Sequence, residues 1–267
     1  MIARKTWREV RGMTIAYFFI LEALIASAIL YWPEIAVNLP KLGLIKNMLP
    51  GDFMKRMFQG IMDSGFPAYV TVQQFFKGIN IAGIACAVLI GTGSIAGERE
   101  NGTLDMLLSR PISRSRILFQ KYWVLALAVV VPIFASSMTI PWMETWIDPK
   151  TIEERVSFSG LMHASWRASL FSLFFLTLTL VFSVYLREQV KVAFAIGGII
   201  VLQVGMFFVQ VLRKSSIFRL SDYDVYWPIM AGNRSFARMF WTEDVWIIAA
   251  IALLYAIGLR RFKSMDL

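Results

Sequence analysis

The sequence predicts an all-α membrane protein with six transmembrane helices. Three observations carry that prediction. Of its 267 residues, 57% are hydrophobic and 17% are charged, against roughly 45–50% and ~25% in soluble chains. Six blocks reach or approach the ~20 apolar residues that a helix needs to cross hydrocarbon: 13–31, 80–96, 122–142, 165–186, 192–212 and 242–259. Aromatic residues such as Tyr31, Trp32, Trp123, Trp142, Tyr185 and Trp241 sit at the block ends, where rings meet lipid headgroups. The whole chain, 1–267, reads as one domain.

Segment 1–12 places Ala3, Trp7 and Val10 on one helical face and Arg4, Arg8 and Arg11 on another. That pattern predicts a short amphipathic helix lying in the membrane interface; the alternative is a basic flank of no fixed structure. A basic start, an apolar run and Ala26-Ser27-Ala28 also have the form of a secretory signal, but the apolar run continues past that site. The first block contains one acid, Glu22. An acid within a span is costly and marks a candidate translocation path; the plainer reading is a hydrogen bond to a neighbouring helix.

Residues 41–70 mix Leu44, Ile45, Met48, Phe53, Met54, Met57, Phe58 and Ile61 with lysines, which predicts an amphipathic surface helix. In block two, Gly83, Ala87 and Gly91 lie four apart. Such a strip of small residues allows another helix to approach closely, and a second copy of the chain is one candidate. Ala164, Ala168 and Ser172 form a similar strip in block four. His163 and Arg167 read as interfacial. Segment 213–241 is aromatic-rich and broken by Pro228 and Gly232, which suggests a structured loop turning back towards the membrane. Block six reaches full length only with Glu243 and Asp244 in the interface, favourably placed near a helix N-terminus.

The net charge is +9. Because the basic residues flank apolar blocks, they point to membrane topology and anionic lipid, with no nucleic-acid partner. With the N-terminus inside, the inner segments carry 14 Lys and Arg in 50 positions and the outer segments 12 in 99. That asymmetry places both termini and segment 97–121 in the cytoplasm. Cys86 is alone and inside an apolar block, so neither a disulfide framework nor metal-ligand spacing is present. There is no Gly-x-x-x-x-Gly-Lys-Ser/Thr loop to cradle phosphates. The glycines of 91–97 lie in an apolar span that leads to Glu98. His163 is the single histidine, and no catalytic constellation surrounds it in sequence.

Segment 97–121 puts eight charged residues between two apolar blocks. Asn101-Gly102 signals a turn, and Thr103 can cap a new helix. Leu104, Leu107 and Leu108 then fall on one helical face. Pro111 stops that helix, and Ser113 can cap the next. Glu98, Arg99, Glu100, Asp105, Arg110, Arg114 and Arg116 form charged shoulders. The apolar face needs a cover, and periodicity leaves open whether that is a protein or lipid headgroups.

The same segment resembles the signature of ABC-2-type transporter permeases. The resemblance rests on Glu98, Gly102-Thr103-Leu104, Leu107-Leu108, Pro111-Ile112-Ser113-Arg114 and Lys121. The six-span plan and the basic C-terminus extend it along the chain, most closely to the short permeases without large extracellular domains. The resemblance implies that 97–121 holds a cytoplasmic coupling helix between spans two and three. Glu98, Arg99, Glu100, Gly102, Thr103, Leu104, Leu107, Leu108, Pro111 and Arg114 would meet a separate ATP-binding subunit. ATP and Mg would bind that partner, and this chain would carry no cofactor of its own. A pair of permeases, a homodimer or a pairing with a related permease, would form an exporter in a bacterial or archaeal cytoplasmic membrane. Two other function classes compete: a nucleotide-independent secondary transporter or channel, and a membrane anchor for a partner complex. The first of these usually shows paired broken helices or several midplane charges, and this chain offers Glu22 alone.

Overall fold

The structure, a computed structural model, describes residues 2–42, 51–109, 111–152 and 154–265. Leu44, Ile45, Met48 and Arg110 therefore lie outside the described residues. Among the described residues every regular element is helical, and six helices are long and apolar enough to cross a membrane.

Helix α1 spans Ile2–Leu42. At ~1.5 Å per residue it is about 60 Å long, roughly twice the ~30 Å hydrocarbon core. The separate interfacial helix expected over 1–12 is instead the unbroken first part of α1. One buried stripe explains the continuity: Ile2, Thr6, Val10, Thr14, Tyr17, Leu21 and Ile25 all face inwards. Trp7 does not share that face and is 43% exposed.

Helix α2 covers Gly51–Glu100, but a non-helical break at Gly65 separates its first part, which falls in the surface helix expected over 41–70, from span two. Gly65 kinks it with φ 60°, ψ −134°, a conformation open to glycine because it has no Cβ. Phe53, Met57 and Ile61 are buried in the main core. Two stretches of α2, Thr71–Gly83 and Gly93–Gly97, are π-helical.

Helix α3, Thr103–Leu108, is the short element of the hinge, followed by α4, Arg114–Met143. Helix α5 covers Phe158–Tyr185 and starts at Ser157, whose hydroxyl accepts from the Gly160 amide. Helix α6 is Gln189–Phe208, α7 is Tyr223–Met230 and α8 is Phe236–Lys263.

Helix α5 is the centre of the bundle. It packs against α2, α4, α6 and α8, while α1 packs on α4 and α2. Of its most apolar window 72% is buried, against 17% for α6 and for α8. The small residues Ala164, Ala168 and Ser172 of α5 are fully buried, which lets its neighbours approach. The segment between α6 and α8 is folded onto the bundle. Phe218 packs edge-on to Phe171, and Tyr226 stacks on Phe75 at 5.3 Å. Asn80 joins both sides: it donates to the Ser221 carbonyl and accepts from the Tyr226 hydroxyl. Asp222 lies at this junction; burial raises its carboxyl pKa above the usual range, opposed by the adjacent Arg213.

Candidate functional site

The hinge begins where α2 loses its regular hydrogen bonding. A π-helical stretch leaves backbone groups without their usual partners. Here Ser183 of α5 accepts from the amides of Ile95, at 3.2 Å, and Ala96, at 2.8 Å, and donates to the Thr92 carbonyl. Lys121 of α4 donates to the Ser94 carbonyl at 2.8 Å. The irregular end of α2 is thus held by the two helices beside it.

Glu98 follows at once and is buried. Its Oε1 accepts from Lys5 of α1 at 2.8 Å, and its Oε2 lies 2.5 Å from Lys121 Nζ. The second contact is a close ion pair between two buried side chains. One carboxylate therefore ties α1, α2 and α4 together. This corrects the expectation that Glu98 faces an outside partner. Lys121, quoted in the signature as the residue opening span three, is only 2% exposed and belongs to the site.

The turn then forms. The Asn101 amide bonds to the Gly97 carbonyl and the Gly102 amide to Arg99. Gly102 has φ +66°, the left-handed region that favours glycine. Gly102 also occupies the cap position of α3; Thr103 is already helical and its hydroxyl donates backwards to the Glu98 carbonyl. Ser113 stands at the cap of α4 but makes no side-chain bond there.

The apolar face of α3 is covered by the chain itself. Leu104 and Leu107 are buried in a cluster with Ile2, Ile95, Ile117, Leu180, Val184 and Phe262, and Leu108 packs partly against it. Such burial contributes about 1.5–3 kcal/mol for each fully buried leucine. The cover that the sequence left open between a protein and lipid headgroups is, for Leu104 and Leu107, the chain's own helices. The arginines also turn inwards. Arg99 donates to the carbonyls of Leu186 and Val184, and Arg114 to the carbonyls of Lys263 and Met265. The Glu100 carboxylate accepts from the Gln189 amide at the start of α6.

What α3 leaves outside is a different set: Gly102, Asp105, Met106, Ser109 and Pro111 are exposed, Met106 by 72%. Sequence periodicity missed Met106 because an isolated exposed methionine carries no pattern. The hinge, the first turns of α1 and the end of α8 meet at one end of the bundle.

Glu22 lies apart from this site. The Thr139 hydroxyl of α4 lies 3.0 and 3.1 Å from the two Glu22 oxygens and shares its single proton between them and the Ser136 carbonyl, a hydrogen bond to a neighbouring helix as the plainer reading expected. The strip Gly83, Ala87, Gly91 is internal. A Cβ on Gly83 would stand 2.8 Å from the Tyr17 hydroxyl and 2.9 Å from that of Ser172; one on Gly91 would stand 2.8 Å from Thr179. Its partners are α1 and α5 of the same chain, so it offers no surface to a second copy. Arg167 is a further correction: it is fully buried and paired with Asp244 and Glu243.

A family model described as ABC-2 family transporter protein matches residues 53–267. The chain belongs to the ABC-2 transporter family. It is therefore an ABC transporter permease, a multi-pass membrane subunit of the kind that associates with an ATP-binding subunit. No curated protein matches this ABC-2 permease. The match takes in five of its six spans from near the start of α2 onwards, and it includes the whole hinge.

Proposed function

We propose that this permease exports a substrate across a bacterial or archaeal cytoplasmic membrane, driven by ATP hydrolysis on a separate subunit that docks on the exposed end of α3. The observation that carries this reading is the division of α3 into two faces. The inner face, Leu104 and Leu107, is packed against parts of α1, α2, α4, α5 and α8. The outer face, with Asp105 and Met106, is exposed. A short helix bound to several span ends transmits a push to all of them, and packed interfaces respond by discrete rearrangement. ATP and Mg act on the partner. Two permease copies build the pathway, both with hinge and termini in the cytoplasm, in keeping with the density of basic residues there.

The inner packing changes the choice of test. Leu104→Asp or Leu107→Asp would break the permease's own core, so neither isolates docking. Met106→Asp places a carboxylate on the exposed face without touching that core. Burying it unpaired at an interface is expected to weaken association about a hundredfold or more. The variant should insert and melt as wild type yet lose co-purification with the ATP-binding subunit. Native mass spectrometry of the wild-type complex should count two permeases and two ATP-binding subunits. Wild-type recovery of the partner with Met106→Asp would refute docking on α3.

A further inference from the structure

We infer that an anionic phospholipid binds this chain at the hinge end, with its phosphodiester among Arg99, Arg187 and Arg261 and its acyl chains along α5. The site is a cavity of about 420 Å³ between α3, the α5–α6 connection and the end of α8. The three arginines line it from three different elements, with Tyr185 and Ser264 between them. None of the three has a carboxylate within ion-pair distance among the described residues. Glu188, next to Arg187, is taken by Lys191 at 2.5 Å. Asp105 stands on the rim and offsets only part of the charge; Arg99 is repelled by both Arg187 and Arg261. Arg99 spends its donors on two carbonyls and the Met265 sulfur, and Arg261 lies over the Tyr185 ring at 5.6 Å. Three like charges held around one hollow favour an anion there.

The surroundings decide which anion. Tyr185 is 50% exposed at the last turn of α5, where spans end and headgroups begin. From it, Phe182, Leu178 and Phe174 follow along α5, each half-buried: Phe182 and Leu178 pack on one side against Ala96, Val192 and Ile196, and Phe174 against Ile84 and its neighbours, and each keeps part of its surface exposed. Helices α6 and α8, which both pack on α5, have the least buried apolar windows of the six spans. An apolar track that leads from hydrocarbon to a cationic hollow matches a phospholipid: chains on the aromatic and aliphatic residues, phosphate on the guanidiniums. This inference needs the membrane-spanning fold; because the cavity shares Asp105 with the proposed docking face, lipid is counted on the permease without its ATP-binding partner.

The test is competitive lipid retention. The purified permease is exchanged into equal amounts of phosphatidylglycerol and phosphatidylcholine with identical chains, and bound lipid is counted by native mass spectrometry. Wild type should retain phosphatidylglycerol preferentially. Arg187→Gln should reduce that preference about fivefold, and Arg187→Gln with Arg261→Gln by the square of that factor. Arg187→Lys should keep most of it. Arg187 is exposed and makes no hydrogen bond among the described residues, so its single variant remains folded and informative. Equal retention of both lipids, or an anionic preference untouched by the glutamine variants, would overturn the proposal. Displacement of the lipid by millimolar inorganic phosphate would overturn it in favour of a free-anion site. Unchanged lipid with lost recovery of the ATP-binding subunit would overturn it in favour of a partner carboxylate.

Discussion

Two buried charge clusters mark opposite ends of this bundle, and they are built differently. At the hinge end one acid, Glu98, is shared by two lysines from α1 and α4. At the other end Arg167 of α5 meets two adjacent acids of α8, Asp244 and Glu243, and Arg234 pairs with Glu243 as well. The far cluster is the tighter: Arg167 and Asp244 are both fully buried, and Trp166 adds a hydrogen bond to Asp244. The hinge cluster is open on one side, because Lys5 is 44% exposed. Buried ion pairs add little net stability over apolar packing, but losing one partner is costly. The far cluster joins two helices and acts as an anchor. A π-helical stretch is common to both, since Glu243 and Asp244 lie within Phe240–Asp244; what sets the hinge cluster apart is that it joins three helices and has in Lys5 the most exposed partner, attributes of a joint that rearranges.

The largest effect is expected at the anchor. Arg167→Met leaves Asp244 buried without its main partner, at a cost of about 3–5 kcal/mol. Its thermal unfolding in detergent should drop sharply. Adding Asp244→Asn removes the stranded charge and should recover much of the loss; no recovery would show that Arg167 acts by packing and not by pairing.

Next comes the joint. Glu98→Gln keeps the shape and leaves Lys121 buried without an acid, a cost of about 2–4 kcal/mol, reduced by the exposure of Lys5. What separates it from Arg167→Met is function. Hydrolysis by the ATP-binding subunit should continue while transport is lost, because the end of α2 that leads into α3 no longer pulls on α1 and α4 through Lys5 and Lys121. A variant that transports in proportion to the hydrolysis it supports would remove the distinction between the two clusters.

The smallest effect is expected between them. Thr139→Val removes the hydroxyl that Glu22 accepts from, worth about 0.6 kcal/mol in a membrane interior. Thermal stability should hardly change. Glu22→Gln should be equally mild on stability, so a transport defect in Glu22→Gln alone would place that acid on the path and not in the scaffold.

The spans, the turn at Asn101-Gly102 and the stop before Pro111 were legible from residues alone. So was the grouping of both termini with the hinge, now visible as contacts between Ile2, Leu104 and Phe262. These features follow from local rules: run length against membrane thickness, the left-handed backbone that glycine accepts, and the proline that cannot donate. Periodicity also located the apolar face of α3, but not what covers it. A helical face reports only that a cover exists.

Tertiary structure alone decided the rest. It turned Leu104, Leu107, Arg99 and Arg114 inwards and left Asp105 and Met106 outside. It assigned the small-residue strip of α2 to α1 and α5, and it withdrew Arg167 from the interface into an ion pair. Each of those outcomes depends on a partner distant in sequence, 93 positions for Lys5 and Glu98 and 77 for Arg167 and Asp244. Charge and spacing within one segment carry no information about which distant residue will arrive. Packing supplies it, because a charge withdrawn from water must find its counter-charge wherever the fold brings one within reach.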